Sequence, residues 1–297
     1  MTLKNLFVVI PVFNRWEQTR RCLQKLMDSS YKNFSVIVVD HGSSDGTREG
    51  LENEFPDVTR LPGTADMWWS AATNLGIRHA LDRHADAVML LNNDCYLEEA
   101  TLERLLAQLQ PAGMAVIAPL QRNLQTGHIL TKNITTCFIF GFQTLQLPGR
   151  SLYRPNHAHP TKASLLIGGR GVIIPAEVFE KTGMMNEQQL PHYGADHDFY
   201  LRCRKNAIPL LVSPNAIVDI DEDTTTLSSR LGEMTFSEFT RSLRDRRSHR
   251  NLADLTTLFR LHYPIPGLYP VGVSLNLLRY SIVYLAARLA RIPGLRR

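Results

Sequence analysis

Carboxylates stand along this chain where short apolar runs stop. Val36-Ile37-Val38-Val39 leads into Asp40-His41-Gly42-Ser43-Ser44-Asp45-Gly46, and Leu90-Leu91 leads into Asn92-Asn93-Asp94. Asp196 and Asp198 lie two apart at the start of a helix-period segment. A carboxylate at a strand end can accept from a base N–H or a ribose hydroxyl, while the turn amides and helix N-terminus behind it favour a nearby anion. Asn92-Asn93-Asp94 offers the hard oxygen ligands that Mg2+ or Mn2+ takes, usually completed by water and substrate phosphates. Each cluster also has a plainer reading. Ser44, Asp45 and Asp94 can cap helices, and Asp198 can pair with Arg202 four residues on.

The surrounding pattern supplies the elements that hold these groups. Leu6–Val12, Ser35–Val39, Val88–Leu91 and Ala115–Pro119 read as short buried strands. Helix-period segments alternate with them: Arg15–Met27, Thr47–Phe55, Ser70–Arg83 and Glu98–Leu109, the last with Leu102, Leu105, Leu106 and Leu109 on one stripe. Such alternation predicts an α/β fold with a mostly parallel sheet covered by helices, in which ligands bind beyond the carboxyl ends of the strands. The three strand ends Asn14-Arg15, Asp40 to Gly46 and Asn92 to Asp94 can then line one crevice. Further on, Ile134–Phe142 is a strand candidate, Leu165–Ile174 a glycine-interrupted apolar run, Pro175–Lys181 and Asp196–Lys205 short helices, and Leu210–Val212 with Ile217–Ile220 a strand pair. Phe236 to Tyr263 reads as helical, and a last apolar helix ends near Ile292.

The chain has 297 residues, 44% of them hydrophobic and 21% charged, which excludes disordered, collagenous and polytopic membrane classes. Its net charge of +5 is unevenly spread. Residues 1–224 carry net −3 and residues 225–297 net +8, with all twelve basic residues of the latter being arginine. We therefore expect a catalytic domain over 1–224 and an Arg-rich helical extension over 225–297. The four cysteines are far apart, and the first apolar run is too short for a signal peptide and contains Pro11. Both fit a reduced, cytoplasmic setting.

Taken in order, Ile10-Pro11-Val12-Phe13-Asn14-Arg15, Val39-Asp40-His41-Gly42-Ser43-Ser44-Asp45-Gly46-Thr47, Asn74-Leu75-Gly76-Ile77 and Leu90-Leu91-Asn92-Asn93-Asp94 resemble the motifs of family 2 glycosyltransferases with the Rossmann-like GT-A fold. The resemblance continues through Gly168-Gly169-Arg170-Gly171, Glu177 to Gly183 and Tyr193 to Arg202, covering roughly residues 5–221. It resembles rhamnosyltransferase-type members of bacterial polysaccharide assembly. It implies transfer of a sugar from a UDP- or dTDP-linked donor to a saccharide or lipid-linked acceptor hydroxyl, with inversion and with Mg2+ or Mn2+. By motif position Asp40 holds the base, with Pro11, Phe13 and Asn14 beneath it; Asp94 matches the metal carboxylate; Asp196 matches the general base. Asp45, Trp68, Asn74, Asn93 and Arg170 fall on the donor side, and Trp69, Gly169 and Asp198 on the acceptor side. A single displacement needs only one base and one cation at the departing diphosphate, so two facing acidic sites suffice.

The chain departs from the pattern at Ala195, Asn186 and Asn92, where the family commonly has carboxylates, and it lacks the late-strand histidine. Asp219 or Asp221, which share one strand face, is a candidate replacement ligand. Two other readings stay open here. A sugar-phosphate nucleotidyltransferase would carry a Gly-rich loop where Pro11-Val12-Phe13-Asn14 stands. A silent sugar-nucleotide-binding or membrane scaffold subunit is compatible with Ala195 and Asn92.

Val271–Leu289 is apolar but interrupted by Arg279 and Arg288, too charged for a spanning helix and suited to an interfacial one on anionic lipid. Those arginines lie roughly 180° apart on a helical wheel, so packing on the catalytic domain or on a second copy is an equal alternative. A cluster of Arg241, Arg244, Arg246, Arg247 and Arg250 beside an acidic body, with no nucleic-acid module, argues against a nucleic-acid partner. The expected location is cytoplasmic, peripheral on the inner face of the membrane.

Overall fold

Leu6–Val12 (β1) buries all seven side chains, and strand alternation sends them to opposite faces. Phe7 and Val9 join one core; Leu6, Val8, Ile10 and Val12 join another. The same division runs through Phe34–Asp40 (β2) and Ala87–Leu91 (β4), so the sheet has a core on each side. The computed structural model describes residues 4–130, 134–146, 159–221 and 232–291.

Trp16–Met27 (α1), Thr47–Glu54 (α2) and Thr101–Leu109 (α4) cover one face. Trp68–Leu81 (α3), Ala176–Thr182 (α5), Ala195–Lys205 (α6) and Leu252–His262 (α8) cover the other. Gly76 is what lets α3 close on the sheet, because a Cβ there would stand 2.3 Å from Val9 Cγ1.

The remaining strands are Thr59–Pro62 (β3), Cys95–Leu97 (β5), Val116–Asn123 (β6), Thr161–Lys162 (β9), Arg170–Pro175 (β10) and Leu210–Ile220 (β11). They form one sheet in the order β3-β2-β1-β4-β10-β6-β11-β5, with β9 beside β11. β3, β2, β1 and β4 are parallel, and so are β6 and β11; β10 runs antiparallel between β4 and β6. The chain leaves β4 through Asn92-Asn93-Asp94 and reappears as β5 on β11, the far edge of the sheet. This crossing fixes Asp94 at the mouth of the crevice, where the Asp221 N–H donates to the Asp94 carbonyl at 3.0 Å.

Several sequence expectations take a different form. Ile134–Phe142 is a hairpin, Ile134–Cys137 (β7) and Phe142–Gln146 (β8), folded about the left-handed Gly141. Only Arg170–Pro175 of the run Leu165–Ile174 forms a strand, because Gly168 and Gly171 take positive φ. The expected strand pair 210–212 and 217–220 is one strand with a register shift between Ser213 and Ile217, across Pro214. The helical stretch 236–263 is two helices, Phe236–Ser242 (α7) and α8, and the last helix is Tyr269–Leu289 (α9). The expected boundary at 224/225 lies outside the described residues. Beyond it, Leu255, Leu258 and Phe259 of α8 lie in the same core as Phe199 and Leu201 of α6.

Candidate active site

The loops after β1 and β2 lock together. Ser43 Oγ accepts from the Asn14 N–H at 2.8 Å, and Asn14 Oδ1 accepts from the Ser44 N–H at 2.9 Å. Asn14 itself is left-handed, at φ 58°. Buried Asp40 accepts from the Ser43 N–H through Oδ1 and from Arg60 Nε through Oδ2, at 3.0 and 3.1 Å. Pro11 is buried in β1 beside Val39, and Phe13, 41% exposed, stacks on His41 with ring centres 5.4 Å apart. Asp45 braces two helix starts. It accepts from the Trp16 N–H at the start of α1 and from Thr47 N–H and Oγ1–H at the start of α2, and these bonds hold its carboxyl below the usual range against the opposing pull of burial.

At the end of β4 the three polar side chains part. Asn92 Oδ1 accepts from Trp69 Nε1–H at 3.0 Å, and its N–H donates to the Gly169 carbonyl at 2.7 Å. A Cβ on Gly169 would stand 3.0 Å from the Trp69 ring, so a glycine is what admits the indole. Asn93 Nδ2–H donates to Thr19 of α1, tying β4 to that helix. Asp94 accepts a Cys95 thiol contact at 3.3 Å, and no arginine or lysine pairs with it among the described residues. Arg170, beside Leu91 in the sheet, donates to Gln121 Oε1.

Asp219 is not placed to serve as a replacement metal ligand: Arg122 holds both its oxygens, at 2.6 and 2.9 Å, and reaches Glu98 as well. Asp221 accepts from Gln125 Nε2–H at 2.9 Å and abuts Asp94 through the backbone. Among the described residues no group of three or more His, Cys, Asp or Glu side chains forms a metal cage. Asp94 is left as a lone carboxylate, a donor set that would suit a divalent ion only with substrate phosphates and water completing the shell.

Asp196 sits in the first turn of α6, its side chain 15% exposed. Oδ2 accepts from the Gly168 N–H at 2.6 Å and Oδ1 lies 3.1 Å from His197 Nδ1. Because Gly169 holds Asn92, two adjacent glycines join the base candidate to the β4 end. Burial opposes ionisation of Asp196, but the His197 charge, its hydrogen bond and the backbone N–H groups outweigh it and hold the carboxyl at about 2. Burial likewise opposes the His197 cation, and Asp196 overrides it, raising His197 above 6.5. His197 Nε2 lies 3.1 Å from Thr144 Oγ1 of β8. Asp198 is structural: it accepts from Arg202 Nε–H at 2.9 Å and bonds His262 of α8 at 2.8 Å.

Asn74 ties helix α3 into the frame. Its Nδ2–H2 donates to the Met185 carbonyl and Glu187 Oε2, and its Oδ1 accepts from the Met185 N–H. That saturated amide binds α3 to the segment leading into α6.

Sequence reasoning passed over His192 and the contact of Arg246 with Trp68. His192 and Trp68 meet with ring centres 5.5 Å apart, and the Arg246 guanidinium lies 5.9 Å from the Trp68 ring. Burial, with the nearby His41, pushes His192 down to about 4. His41 Nδ1 and His192 Nδ1 are buried without a partner. Buried polar atoms without a partner are uncommon in a folded chain, which sets these two rings apart. The only sequence signal was the position of His41 behind Asp40 and the arginine cluster around Arg246.

A sheet of this order, with carboxylates at the β2 and β4 ends and a third on α6, is the GT-A architecture of nucleotide-sugar glycosyltransferases. The chain belongs to glycosyl transferase family 2, whose family model matches residues 7–159. It is 29% identical over 122 residues to glycosyltransferase AglE of Haloferax volcanii, covering 39% of each chain. It is 21% identical over 218 residues to the dTDP-rhamnosyl transferase RfbF of Shigella flexneri, covering 71% of this chain and 67% of that protein. Among solved structures, the mannosyltransferase PcManGT from Pyrobaculum calidifontis in complex with GDP-Man and Mn2+ aligns with a TM-score of 0.56 at 16% identity, over 97% of this chain and 75% of that one. S. aureus TarS 1-349 in complex with UDP-GlcNAc aligns with a TM-score of 0.55 at 14% identity, over 95% and 79%. These likenesses show the shared fold.

Proposed function

We propose that this glycosyltransferase transfers a sugar from a UDP- or dTDP-linked donor to a saccharide or lipid-linked saccharide acceptor, with inversion, in cell-surface polysaccharide or glycolipid assembly at the cytoplasmic face of the membrane. The observation that carries this reading is the pair Asp196 and Asp94, joined through Gly168-Gly169 and Asn92. Inversion in one step asks for a base on one side of the sugar and charge neutralisation on the other.

Asp40, with Arg60 and the Phe13–His41 stack, receives the base. Pro11 and Asn14 shape the floor of that pocket. Asp94 would hold Mg2+ or Mn2+, and the ion when bound would neutralise charge on the leaving diphosphate. Arg170 lies on the donor side, and Trp68 and Trp69 present ring faces to the apolar faces of the sugars. Asp196 accepts the proton of the acceptor hydroxyl as that oxygen bonds the anomeric carbon and the sugar–phosphate bond breaks.

The RfbF likeness, covering 71% of this chain, favours a deoxythymidine donor for the first trial. The test is nucleoside diphosphate release across a donor and acceptor panel with Mg2+ or Mn2+. Asp196→Asn is expected to lower kcat by roughly 10²–10⁴ with donor binding retained, and Asp94→Ala to abolish the metal response. Wild-type protein that binds donor but releases no diphosphate with any acceptor refutes the transferase reading. Full activity in Asp196→Asn refutes the base assignment.

A further inference from the structure

Helix α9 presents its faces the opposite way from a soluble amphipathic helix. Gly272, Asn276, Tyr280 and Tyr284 form the face against the protein. Asn276 Nδ2–H donates to the Gly141 carbonyl, Tyr280 Oη accepts from Gln143, and Tyr284 donates to the Met234 carbonyl. The outward face is Val271, Leu275, Leu278, Ile282, Leu285 and Leu289, between 38% and 56% exposed. Both arginines that break the sequence pattern turn to the protein. Arg279 lies over the Phe142 and Tyr280 rings at 4.7 and 4.9 Å, and Arg288 donates to the Met234 carbonyl.

The apolar surface extends beyond the helix. Phe140, 67% exposed, belongs to the turn that packs on α9, and Phe236, 71% exposed, opens the α7 helix whose Phe239 stacks on Tyr284. Leu268 adds to it at the start of α9. Contiguous apolar surface along about 32 Å of helix exceeds what a soluble monomer leaves in water.

Charge decides the occupant. From Leu255 to Arg297 the chain has six arginines and no Asp or Glu. Residues 225–297 as a whole carry twelve arginines against four Asp and Glu, so pairing with a second copy on this face would bring two like-charged surrounds together. Anionic headgroups supply the missing charge. The hydrogen bonds along the inner face keep the helix on the protein surface, so it lies in the plane of the bilayer rather than crossing it. We infer that the α9 face is a docking surface for an anionic phospholipid bilayer, seated parallel to the membrane with Phe140 and Phe236 beside it.

This inference stands apart from the transferase chemistry and has its own readout. Purified full-length chain is mixed with vesicles of phosphatidylcholine alone or with phosphatidylglycerol added, and the bound fraction is read by co-sedimentation at low and high salt. Wild type is expected on the phosphatidylglycerol vesicles, with weaker binding at high salt. Leu278→Glu with Ile282→Glu is expected to lose tenfold or more of that partition, because buried apolar area supplies the affinity, while free-solution donor hydrolysis and thermal stability stay unchanged. Equal binding of the double variant, or no wild-type binding, overturns the proposal. A dimer that the double variant breaks, without vesicle binding, assigns the face to a second copy instead. A protease-protected 269–289 fragment inside the vesicles also overturns it, in favour of a span.

Discussion

His197 Nδ1 lies 3.1 Å from Asp196 Oδ1, and the same ring reaches Thr144 Oγ1 at 3.1 Å through Nε2. Asp196, the proposed general base, is thus held in a pair whose two members titrate in opposite directions. Asp196 is lowered from its ordinary 3.8 to about 2, and His197 is raised above 6.5. While His197 is charged, Asp196 is ionised but weakly basic; when the imidazole loses its proton, the carboxylate gains basicity. We expect kcat to rise with pH through the raised His197 value and that limb to vanish in His197→Gln. A limb of the same position in His197→Gln would assign it to another group.

Stability should respond to the same pair with the opposite slope near neutrality. The Asp196 contribution is present above 3.8 and fades as pH falls toward 2, while the His197 contribution is full below 6.5 and fades as pH rises through its folded value. Thermal melts across pH should therefore show the pair's support greatest between these limits. His197→Gln should flatten the loss on the alkaline side; an unchanged profile would show that the pair adds nothing to folding.

Asn74 should behave as a structural residue. Asn74→Ala strands the buried Met185 N–H and carbonyl, at a cost of about 2–4 kcal/mol. At roughly 2–4 °C per kcal/mol for a chain of this size, the melting temperature should fall by several degrees. Donor KM measured well below the transition should change little. A large KM change with an unchanged melt would return Asn74 to the donor site.

The acids near β11 should separate cleanly. Asp94→Asn is expected to raise the Mn2+ concentration needed for half-maximal activity, whereas Asp219→Asn should loosen the Arg122 ion pair and leave that concentration unchanged. A metal response lost in Asp219→Asn would overturn its place as the partner of Arg122.

Arg246 stands 178 positions after Trp68 in the chain, yet its guanidinium lies 5.9 Å from that ring. Arg246→Ala is expected to raise the KM of donor or acceptor several-fold, as loss of a cation near a diphosphate does, with the melt unchanged. Isothermal titration with nucleoside diphosphate alone tells the two apart: weakened binding assigns Arg246 to the donor, and unchanged binding assigns it to the acceptor.

Sequence by itself determined the alternation of buried strands and amphipathic helices, because periods of 2 and 3.6 follow from local backbone geometry. It also determined which strand ends carry polar groups. The positions of Asp40 and Asp94 at strand ends were legible for that reason, Asp196 stood out only at a helix start and through the family resemblance, and Arg202 was legible as the partner of Asp198 because four residues make about one helical turn. Partners far along the chain were not. Nothing local told that Arg122 would take both oxygens of Asp219, that Asn74 would spend its amide on Met185, or that Arg246 would reach Trp68. Hydrogen bonds and ion pairs of that kind are formed by strand order and helix packing, which bring together residues up to 178 positions apart. The last helix shows the same division. Its composition and its arginines were plain in the sequence, but only the packed structure turned Arg279 and Arg288 inward and left the leucine face to the outside.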